Sequence, residues 1–439
     1  MSAYSITTRG LPQGTLTPMG ALLFAASEPG AWYDPSDLST MFQDEAGTTP
    51  VTAVEQPVGR MLDKSGRGNH ATQATTTKRP VYSRRVNMLT KTDAISINSP
   101  WGVGLAGITI RQNVPTADGQ NKASGIVRSS GASTSYSDLV QYFSVGAAGV
   151  NVGRTYVFSV ELWSDNPQNV ILFISDAYYN SYSKTVSINS TPTRHTFVSS
   201  GGTGWNASAT TIGVGLGFVP NAGEVFVNEP SLTLATDAHL PYQRVNTATD
   251  YDADPSKFPA YLSFDGVDDA MVTVVNVDLS GTDKVTAWAG ISVSSSSDQS
   301  GIWELGTNST TSNGLSMQCM LSPFATLRGQ AFGTSRGVVD APGFAPNTAY
   351  RVCAQYDLSA ALVKDEIRLR KNGVYVSSPI LESSGTGNFS SYPLTVMARG
   401  YMAAYTGGCL YSLIVRGTQT PLSQIEATEL YIKQKMRMP

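Results

Sequence analysis

Charged residues and cysteines are both scarce in this sequence. Asp, Glu, Lys and Arg make up 14% of its 439 residues, well under the roughly 25% of ordinary soluble proteins. The three cysteines, Cys319, Cys353 and Cys409, are an odd number at wide spacing, which argues against a disulfide framework and against the paired ligands of a zinc site. We therefore expect buried, reduced thiols and no zinc.

Blocks of one charge and long apolar runs are also missing. The 30 basic and 33 acidic residues are scattered and give a formal net charge of −3, so no basic surface for a phosphate backbone is indicated. The apolar run at residues 19–26 follows no cluster of cations and is far shorter than the roughly 20 residues that span a bilayer. We expect no nucleic-acid partner, no signal peptide and no membrane insertion.

Strand and turn signals are abundant instead. Residues 156–163 (YVFSVELW) alternate so that Tyr156, Phe158, Val160 and Leu162 share one face, and many similar runs are separated by Gly, Asn, Asp and Pro. This pattern predicts an all-β fold built of sandwiches.

Two local elements are specific enough to place. Asn372-Gly373, between the apolar positions of residues 368–370 and 374–376, supplies the two positive φ angles of a tight hairpin turn. Residues 423–426 (SQIE) have the form of a capping box, and apolar positions at helical spacing follow it. We predict a hairpin at the first and a short C-terminal helix that begins at the second.

A short internal similarity bears on the domain plan. Residues 82–87 (YSRRVN) resemble residues 242–246 (YQRVN), about one domain length further on. If the similarity is genuine, the segment between is a domain inserted into a host domain, because insertion needs entry and exit points that lie close together.

Two separated stretches resemble halves of one concanavalin A-like, or laminin G-like, sandwich. Residues 62–71 (LDKSGRGNHA) are similar to the D-x-S-G-x-G-N-x-A stretch of such domains, and residues 261–269 (YLSFDGVDD) are similar to their L-x-F-D-G-x-D-D strand and turn. The hairpin near Asn372 and the run at residues 408–415 follow in the order of that family. The resemblance implies a discontinuous sandwich at residues 31–85 and 245–439.

Residues 30–44 (GAWYDPSDLSTMFQD) resemble a stretch of bacteriophage virion proteins with this architecture. That resemblance implies a virion location after assembly in the host cytoplasm, contacts with other virion proteins, and a homotrimer. We expect residues 1–30 to dock on the tail, collar or capsid. The insertion, residues 86–244, is similar in layout to jelly-roll carbohydrate-binding modules, which implies binding of host-surface glycans.

Candidate glycan-binding residues lie in the insertion. Trp163 falls on the face opposite the apolar set, beside Ser159 and Glu161, and an aromatic ring with neighbouring polar groups suits a sugar. Packing of Trp163 under a loop or at a subunit contact is the alternative. Further aromatic candidates for sugar or protein contact are Tyr178, Tyr179, Tyr182 and Trp205.

Two other features have a structural and a functional interpretation. Gly213, Gly215 and Gly217 form a stripe without side chains that lets a ligand, an aromatic ring or another backbone approach closely. Accommodation of a neighbour in the same domain is the commoner cause of such a stripe.

Several carboxylates lie in predicted turns, namely Asp63, Asp265, Asp268 and Asp269. Oxygen-rich turns suit calcium, although carboxylates in turns usually cap their own backbone. We predict structural turns and no cofactor.

Few residues suit catalysis. The histidines are His70, His195 and His239, and none lies in an H-E-x-x-H arrangement. Glu304 is the carboxylate that best suits a sandwich groove, where a glycosidase needs a second acid beside it, and the sequence shows no such partner. We predict a protein that is not an enzyme. The rival hypotheses are a pure assembly protein, a polysaccharide depolymerase and a bacterial secreted lectin.

Overall fold

The structure is a computed structural model that describes most of the chain. The described residues are 22–93, 95–96, 100–102, 108–116, 118–120, 122–128, 139–144, 155–176, 181–199, 209–218, 223–296, 299–307, 312–320, 325–376, 383–400 and 404–439. Among them, no helix is long and apolar enough to cross a membrane.

The described elements are strands, a few short 3-10 helices and an α-helix near the C-terminus. The first group is β1 (Gly30–Tyr33), β2 (Met41–Phe42), β3 (Arg60–Met61), β4 (Ala71–Thr72) and β5 (Val81–Ser83). The second is β6 (Trp101–Gly102), β7 (Ile108–Val114), β8 (Ala123–Arg128), β9 (Leu139–Ser144), β10 (Tyr156–Trp163), β11 (Gln168–Asp176), β12 (Ser181–Ile188), β13 (Thr193–Val198), β14 (Thr211–Phe218) and β15 (Val225–Leu234).

The remaining strands and the helix follow. They are β16 (Tyr261–Phe264), β17 (Met271–Thr273), β18 (Val277–Asp278), β19 (Lys284–Ser296), β20 (Ser300–Leu305), β21 (Leu315–Met320), β22 (Thr326–Phe332), β23 (Arg336–Pro342), β24 (Ala349–Asp357), β25 (Ile367–Lys371), β26 (Val374–Tyr375), β27 (Ser391–Tyr392), β28 (Leu394–Val396), β29 (Thr406–Arg416) and α1 (Leu422–Lys435). The predicted all-β class, with an interrupted sandwich and a short terminal helix, is confirmed.

The chain divides into two compact units. The host unit contains the chain up to Tyr82 together with Tyr261–Met436, and the inserted unit contains Ser83–Ala260 with Arg437–Pro439. The sequence prediction placed the limits of the insertion at 86 and 244. In the structure the chain after 244 still bonds within the inserted unit, since the Arg84 backbone N–H donates to the Tyr251 hydroxyl at 3.0 Å.

The two similar segments at the ends of the insertion contact each other. The Gln243 side-chain oxygen accepts the backbone N–H groups of Val86 and Asn87 at 2.8 and 3.0 Å, and its amide donates to the Arg84 carbonyl. Asn87 in turn donates to the Gln243 carbonyl at 2.9 Å. Buried side chains therefore satisfy backbone groups that the ends of the insertion would otherwise leave unpaired.

The host unit is built of one eight-stranded and one nine-stranded sheet. The eight-stranded sheet has the order β26-β25-β24-β19-β29-β16-β5, with β1 also paired to β29. The nine-stranded sheet has the order β2-β3-β4-β17-β28-β20-β21-β22-β23, and β18 pairs with β27 separately. The predicted hairpin is confirmed: Lys371 pairs with Val374, and Asn372 and Gly373 have φ angles of 51° and 91°.

The predicted capping box is wrong. Helix α1 begins at Leu422 with Pro421 at its N-cap and no side-chain cap, so Ser423 already lies inside the helix. The Pro421 carbonyl accepts the backbone N–H groups of Gln424 and Ile425. Glu429, which interrupts the apolar side of the helix, is buried because Arg370 donates two hydrogen bonds to its carboxylate, at 2.8 and 3.0 Å.

The inserted unit is a sandwich of two five-stranded sheets. The β10 sheet has the order β13-β10-β15-β8-β7, and the β14 sheet has the order β12-β11-β14-β9-β6. One hydrophobic cluster joins them, with the alternating residues of β10 against those of β11 and β14. Burial of each large apolar side chain contributes about 1.5–3 kcal/mol, and the same alternation turns Ser159, Glu161 and Trp163 to the outer face.

Candidate functional site

The outer face of the β10 sheet carries a row of polar side chains across three strands. Glu161 lies opposite Arg194 of β13 and opposite Asn228 of β15, and Ser159 lies two residues earlier on the same face. The Asn228 amide donates to Glu161 Oε2 at 2.8 Å. Ser159 and Glu161 are half-buried, Arg194 is exposed and Asn228 is buried. We call Ser159, Glu161, Arg194 and Asn228 the polar row.

A bulge in β15 shapes the polar row. The register with β10 shifts between Ser159 and Glu161, and Glu229 in the bulge has a φ angle of 48°, an uncommon conformation for a residue with a side chain. The Arg194 guanidinium donates to the Glu229 carboxylate and, at 3.2 Å each, to the Glu229 carbonyl and the Ser159 hydroxyl. Bulges commonly re-aim side chains beside functional sites, and this one supplies the carboxylate that neutralises Arg194.

Trp163 lies at the end of the polar row but is covered by its own chain. Its side chain is 8% exposed, and its ring stacks on Phe226 with centroids 5.3 Å apart. Val114 and Ala123 complete this small cluster. Sugar stacking by Trp163 stays a prediction, and in this conformation the ring packs against a neighbouring strand. Phe226 is separated from Trp163 by more than sixty positions. The alternation within residues 156–163 could therefore not predict this contact.

The other predicted aromatic residues lie elsewhere. Tyr182 is partly buried and packs against the hydrophobic cluster between the two sheets. Tyr178, Tyr179 and Trp205 lie outside the described residues. The structure therefore brings Ser159, Glu161 and Trp163 together on one face and turns Tyr182 to the core.

The glycine stripe of β14 accommodates neighbours in the same sheet. A Cβ atom on Gly213 would lie 3.0 Å from Tyr142 Cε1, and one on Gly215 would lie 2.0 Å from the Leu139 carbonyl oxygen. Gly217 lies opposite Ile171. Close approach of β9 is thus the physical reason for the stripe. Tyr142 is 57% exposed and is a surface aromatic residue that the sequence analysis missed.

Asp63 of the host unit acts as a structural residue. Its carboxylate accepts the backbone N–H groups of Trp32, Ser65 and Asn69 at 2.8–3.0 Å and the Ser65 hydroxyl at 2.7 Å. The Asn69 amide donates to the Gly30 carbonyl at 2.7 Å. The motif D-x-S-G-x-G-N thus fastens its own loop to β1, as carboxylates in turns generally do.

The turn after β16 gathers three carboxylates. One oxygen from each of Asp265, Asp268 and Asp269 lies within 4.8 Å of the others. Asp265 Oδ1 accepts the backbone N–H groups of Val267, Asp268 and Asp269. Burial, together with the neighbouring carboxylates of Asp265 and Asp268, raises the pKa of Asp269 to about 7. A cation would relieve this repulsion, but the hydrogen bonds to Asp265 already explain the turn without one.

Glu304 is paired with a cation rather than with a second acid. Its carboxylate accepts two hydrogen bonds from Arg399, at 2.7 and 3.1 Å, and one from the Gly400 backbone N–H at 2.7 Å. Both side chains are almost fully buried. A bidentate arginine–carboxylate pair of this kind is strong and geometrically specific, which suits a structural role.

Residues 333–337 (GTSRG) have the G-x-S-x-G spacing of a nucleophile elbow, a motif that the sequence analysis overlooked. In the structure they connect the antiparallel strands β22 and β23, with Phe332 paired to Arg336. A nucleophile elbow requires a sharp strand-to-helix turn. The Ser335 hydroxyl donates to the Ser383 carbonyl at 2.6 Å, so this segment is a hairpin turn.

No protein-family model matches the chain, and no curated protein sequence matches it. Several solved structures match parts of the chain. A SAP-like pentraxin from Limulus polyphemus matches 36% of this chain and 75% of its own length, with 13% identity and a TM-score of 0.29. A CBM40 of a Ruminococcus gnavus sialidase, solved with α2,3-sialyllactose, matches 34% of this chain and 83% of its own, with 12% identity and a TM-score of 0.27.

A tailspike of bacteriophage CBA120 also matches part of the chain. The enzymatically active domain of its tailspike protein 4 matches 34% of this chain and 21% of its own length, with 12% identity and a TM-score of 0.25. Each of these matches covers about a third of the chain.

Proposed function

We propose that this chain is a non-catalytic glycan-binding protein and that the polar row is its binding site. The observation that carries the proposal is the state of Glu161. Its Oε2 accepts a hydrogen bond from Asn228, whereas its Oε1 has no hydrogen-bond partner within the described parts of the chain. A half-exposed carboxylate oxygen beside an amide and a guanidinium is suited to sugar hydroxyls, which both donate and accept.

The neighbouring groups complete a hydroxyl-binding pattern. Glu161 is an acceptor and the Asn228 amide is a donor, while the Ser159 hydroxyl, which accepts from Arg194, can still donate. Strands β10, β13 and β15 hold these side chains in a fixed register, which lowers the entropic cost of ordering them on binding. The second acid that hydrolysis needs has a different role here, because Glu229 is engaged with Arg194.

The proposed setting is a bacteriophage virion. The support is the resemblance of residues 30–44 to virion proteins, together with a fold whose host unit resembles lectin-like sandwiches. A single shallow polar row would bind a sugar weakly, and a homotrimer on a particle would raise the avidity through multivalency. We therefore propose contacts with other virion proteins through the segment before residue 31 and glycan binding by the inserted unit.

A glycan-array screen of the purified native oligomer tests the proposal. We expect wild type to bind a defined set of glycans and Glu161→Gln to lose most of that binding, because the amide removes the ionised acceptor while keeping the shape. Glu45→Gln is the matched control, since Glu45 is an exposed carboxylate of the host unit. Absence of glycan binding by well-folded wild type, or full binding by Glu161→Gln, would contradict the proposal.

Exposed valines favour a second candidate function, that of an assembly protein. Val267, Val274 and Val275 of the host unit are 73%, 66% and 51% exposed, and a contiguous patch of exposed apolar side chains would suit a protein contact. In that case the sandwiches would bind other virion proteins alone. A folded wild type that binds virion proteins and no glycan would support this candidate.

A further inference from the structure

We infer that the polar row selects neutral glycans over acidic ones. This inference rests on the proposed function and names the ligand class of the same site. It follows from the charges on the outer face of the β10 sheet and from the partners that those charges already have.

Among the described residues, carboxylates outnumber cations on and beside this outer face. The cations are Arg194, Arg111 and Lys184, whose Nζ donates to the Thr196 carbonyl of β13 at 3.0 Å, and the carboxylates are Glu161, Glu229, Glu224 and Asp165. The local field is therefore negative, and a sialic acid, a uronic acid or a sulfated sugar would approach against it. Like-charge contacts of this kind are an effective means of rejecting a wrong ligand.

Both arginines are also occupied. The Arg194 guanidinium is bonded to the Glu229 carboxylate, the Glu229 carbonyl and the Ser159 hydroxyl. Arg111 donates to both oxygens of Glu224, at 3.0 and 2.9 Å. An acidic sugar would have to displace a protein carboxylate before it could form the bidentate pair that anions favour. A neutral sugar needs no displacement, because Glu161 Oε1 faces it directly.

Glu229 is the residue that sets this preference. Its place in the bulge, with a φ angle of 48°, brings its carboxylate to Arg194 of β13 across the intervening strand β10. Such strain persists where the surrounding structure holds it. Glu229→Gln would keep the shape of the bulge and remove the charge. The guanidinium would then be available to an anion.

The test is an array of matched pairs, in which each neutral oligosaccharide stands beside its sialylated, uronic or sulfated counterpart. We expect wild type to bind the neutral member at least about tenfold more tightly, with little change between low and high salt. We expect Glu229→Gln to bind the acidic members more tightly than wild type does, which would reduce the ratio of neutral to acidic affinity. We expect Glu45→Gln to leave that ratio unchanged.

The outcomes separate the two proposals. Tighter binding of the acidic members by wild type would overturn this inference and leave glycan binding standing. Binding of neither member of any pair would overturn the proposed function itself. The ratio of neutral to acidic affinity in wild type, and its dependence on salt, test the inference even if Glu229→Gln does not fold.

Discussion

Asp63 of the host unit and Glu161 of the inserted unit are both carboxylates held by strands and turns, but they differ in the number of donors around them. Asp63 accepts four hydrogen bonds from nearby backbone and hydroxyl groups. Glu161 accepts one from Asn228 and keeps one oxygen without a partner in the described structure. Asp63 is buried, and Glu161 is half-exposed.

This difference separates structural carboxylates from binding ones. A carboxylate whose acceptor sites are filled by the protein contributes to stability and has little left for a ligand. A carboxylate with an open site at the surface contributes little to stability and can accept a ligand's hydroxyl. Substitution of Asp63 should therefore lower stability without altering glycan binding, and substitution of Glu161 should weaken glycan binding without altering stability.

The largest loss of stability is expected for Glu304→Gln. Glu304→Gln leaves Arg399 buried without its counter-ion, and breaking a buried pair in this way should lower the free energy of unfolding by about 3–5 kcal/mol. Denaturant unfolding followed by tryptophan fluorescence measures the change, with Glu45→Gln as the exposed control. A loss no greater than that of the control would mean that the pair is not structural.

A somewhat smaller loss is expected at Asp63. Asp63→Ala leaves buried backbone N–H groups of Trp32, Ser65 and Asn69 unpaired, which should lower the free energy of unfolding by about 3 kcal/mol. Asp63→Asn keeps one acceptor oxygen and should lose less. Equal losses in the two variants would show that hydrogen bonding by this side chain is not the cause.

Asp34 should make the stability of the host unit depend on pH at the acidic end. Burial opposes its ionisation, but Lys435 and Lys64, each 3.2 Å away, overcome that effect and lower its pKa to about 2. Because the unfolded pKa is 3.8, the stabilisation is present above about pH 4 and is lost as the pH falls towards 2. It amounts to about 2 kcal/mol.

Unfolding measured between pH 2 and pH 5 tests this prediction. In the Asp34→Asn variant the dependence over that range should flatten. A variant that keeps the slope of wild type would place the titrating group elsewhere.

Asp269 should make the stability of the host unit depend on pH in the opposite direction, with a loss as the pH rises. Burial raises its pKa to about 7, above the ordinary value of 3.8, so the folded state holds the proton more tightly than the unfolded state. Its favourable contribution is therefore complete below about pH 4 and is lost as the pH rises through 7. Asp269→Asn should gain stability relative to wild type between pH 5 and pH 8. A difference that does not change with pH would contradict this account.

Local patterns predicted much of the fold. The alternation of residues 156–163 predicted the buried face of β10, and Asn372-Gly373 predicted the hairpin, because both depend on neighbours in the sequence. The start of α1 was missed because Pro421 already holds the first turn. The insertion predicted at 86–244 is shorter than the compact unit Ser83–Ala260, because contacts such as that of Arg84 with Tyr251 are not evident from the sequence.

The candidate site was predictable in part. Ser159, Glu161 and Trp163 were placed on one face because β-strand alternation fixes it. Their partners Arg194, Asn228 and Phe226 come from strands more than thirty residues away in sequence, and strand register cannot be read from one segment. The charge balance of the polar row could therefore not be predicted from the sequence, because it depends on which strands pair and in which register.

The smallest expected change in stability belongs to the variant that matters most for function. Glu161→Gln should alter the free energy of unfolding by no more than about 0.5 kcal/mol, because the site is half-exposed and the amide can still accept from Asn228. Titration calorimetry of wild type and this variant with the strongest array ligand is the direct test. The account predicts a loss of about tenfold or more in affinity; unchanged affinity in a folded Glu161→Gln protein would contradict it.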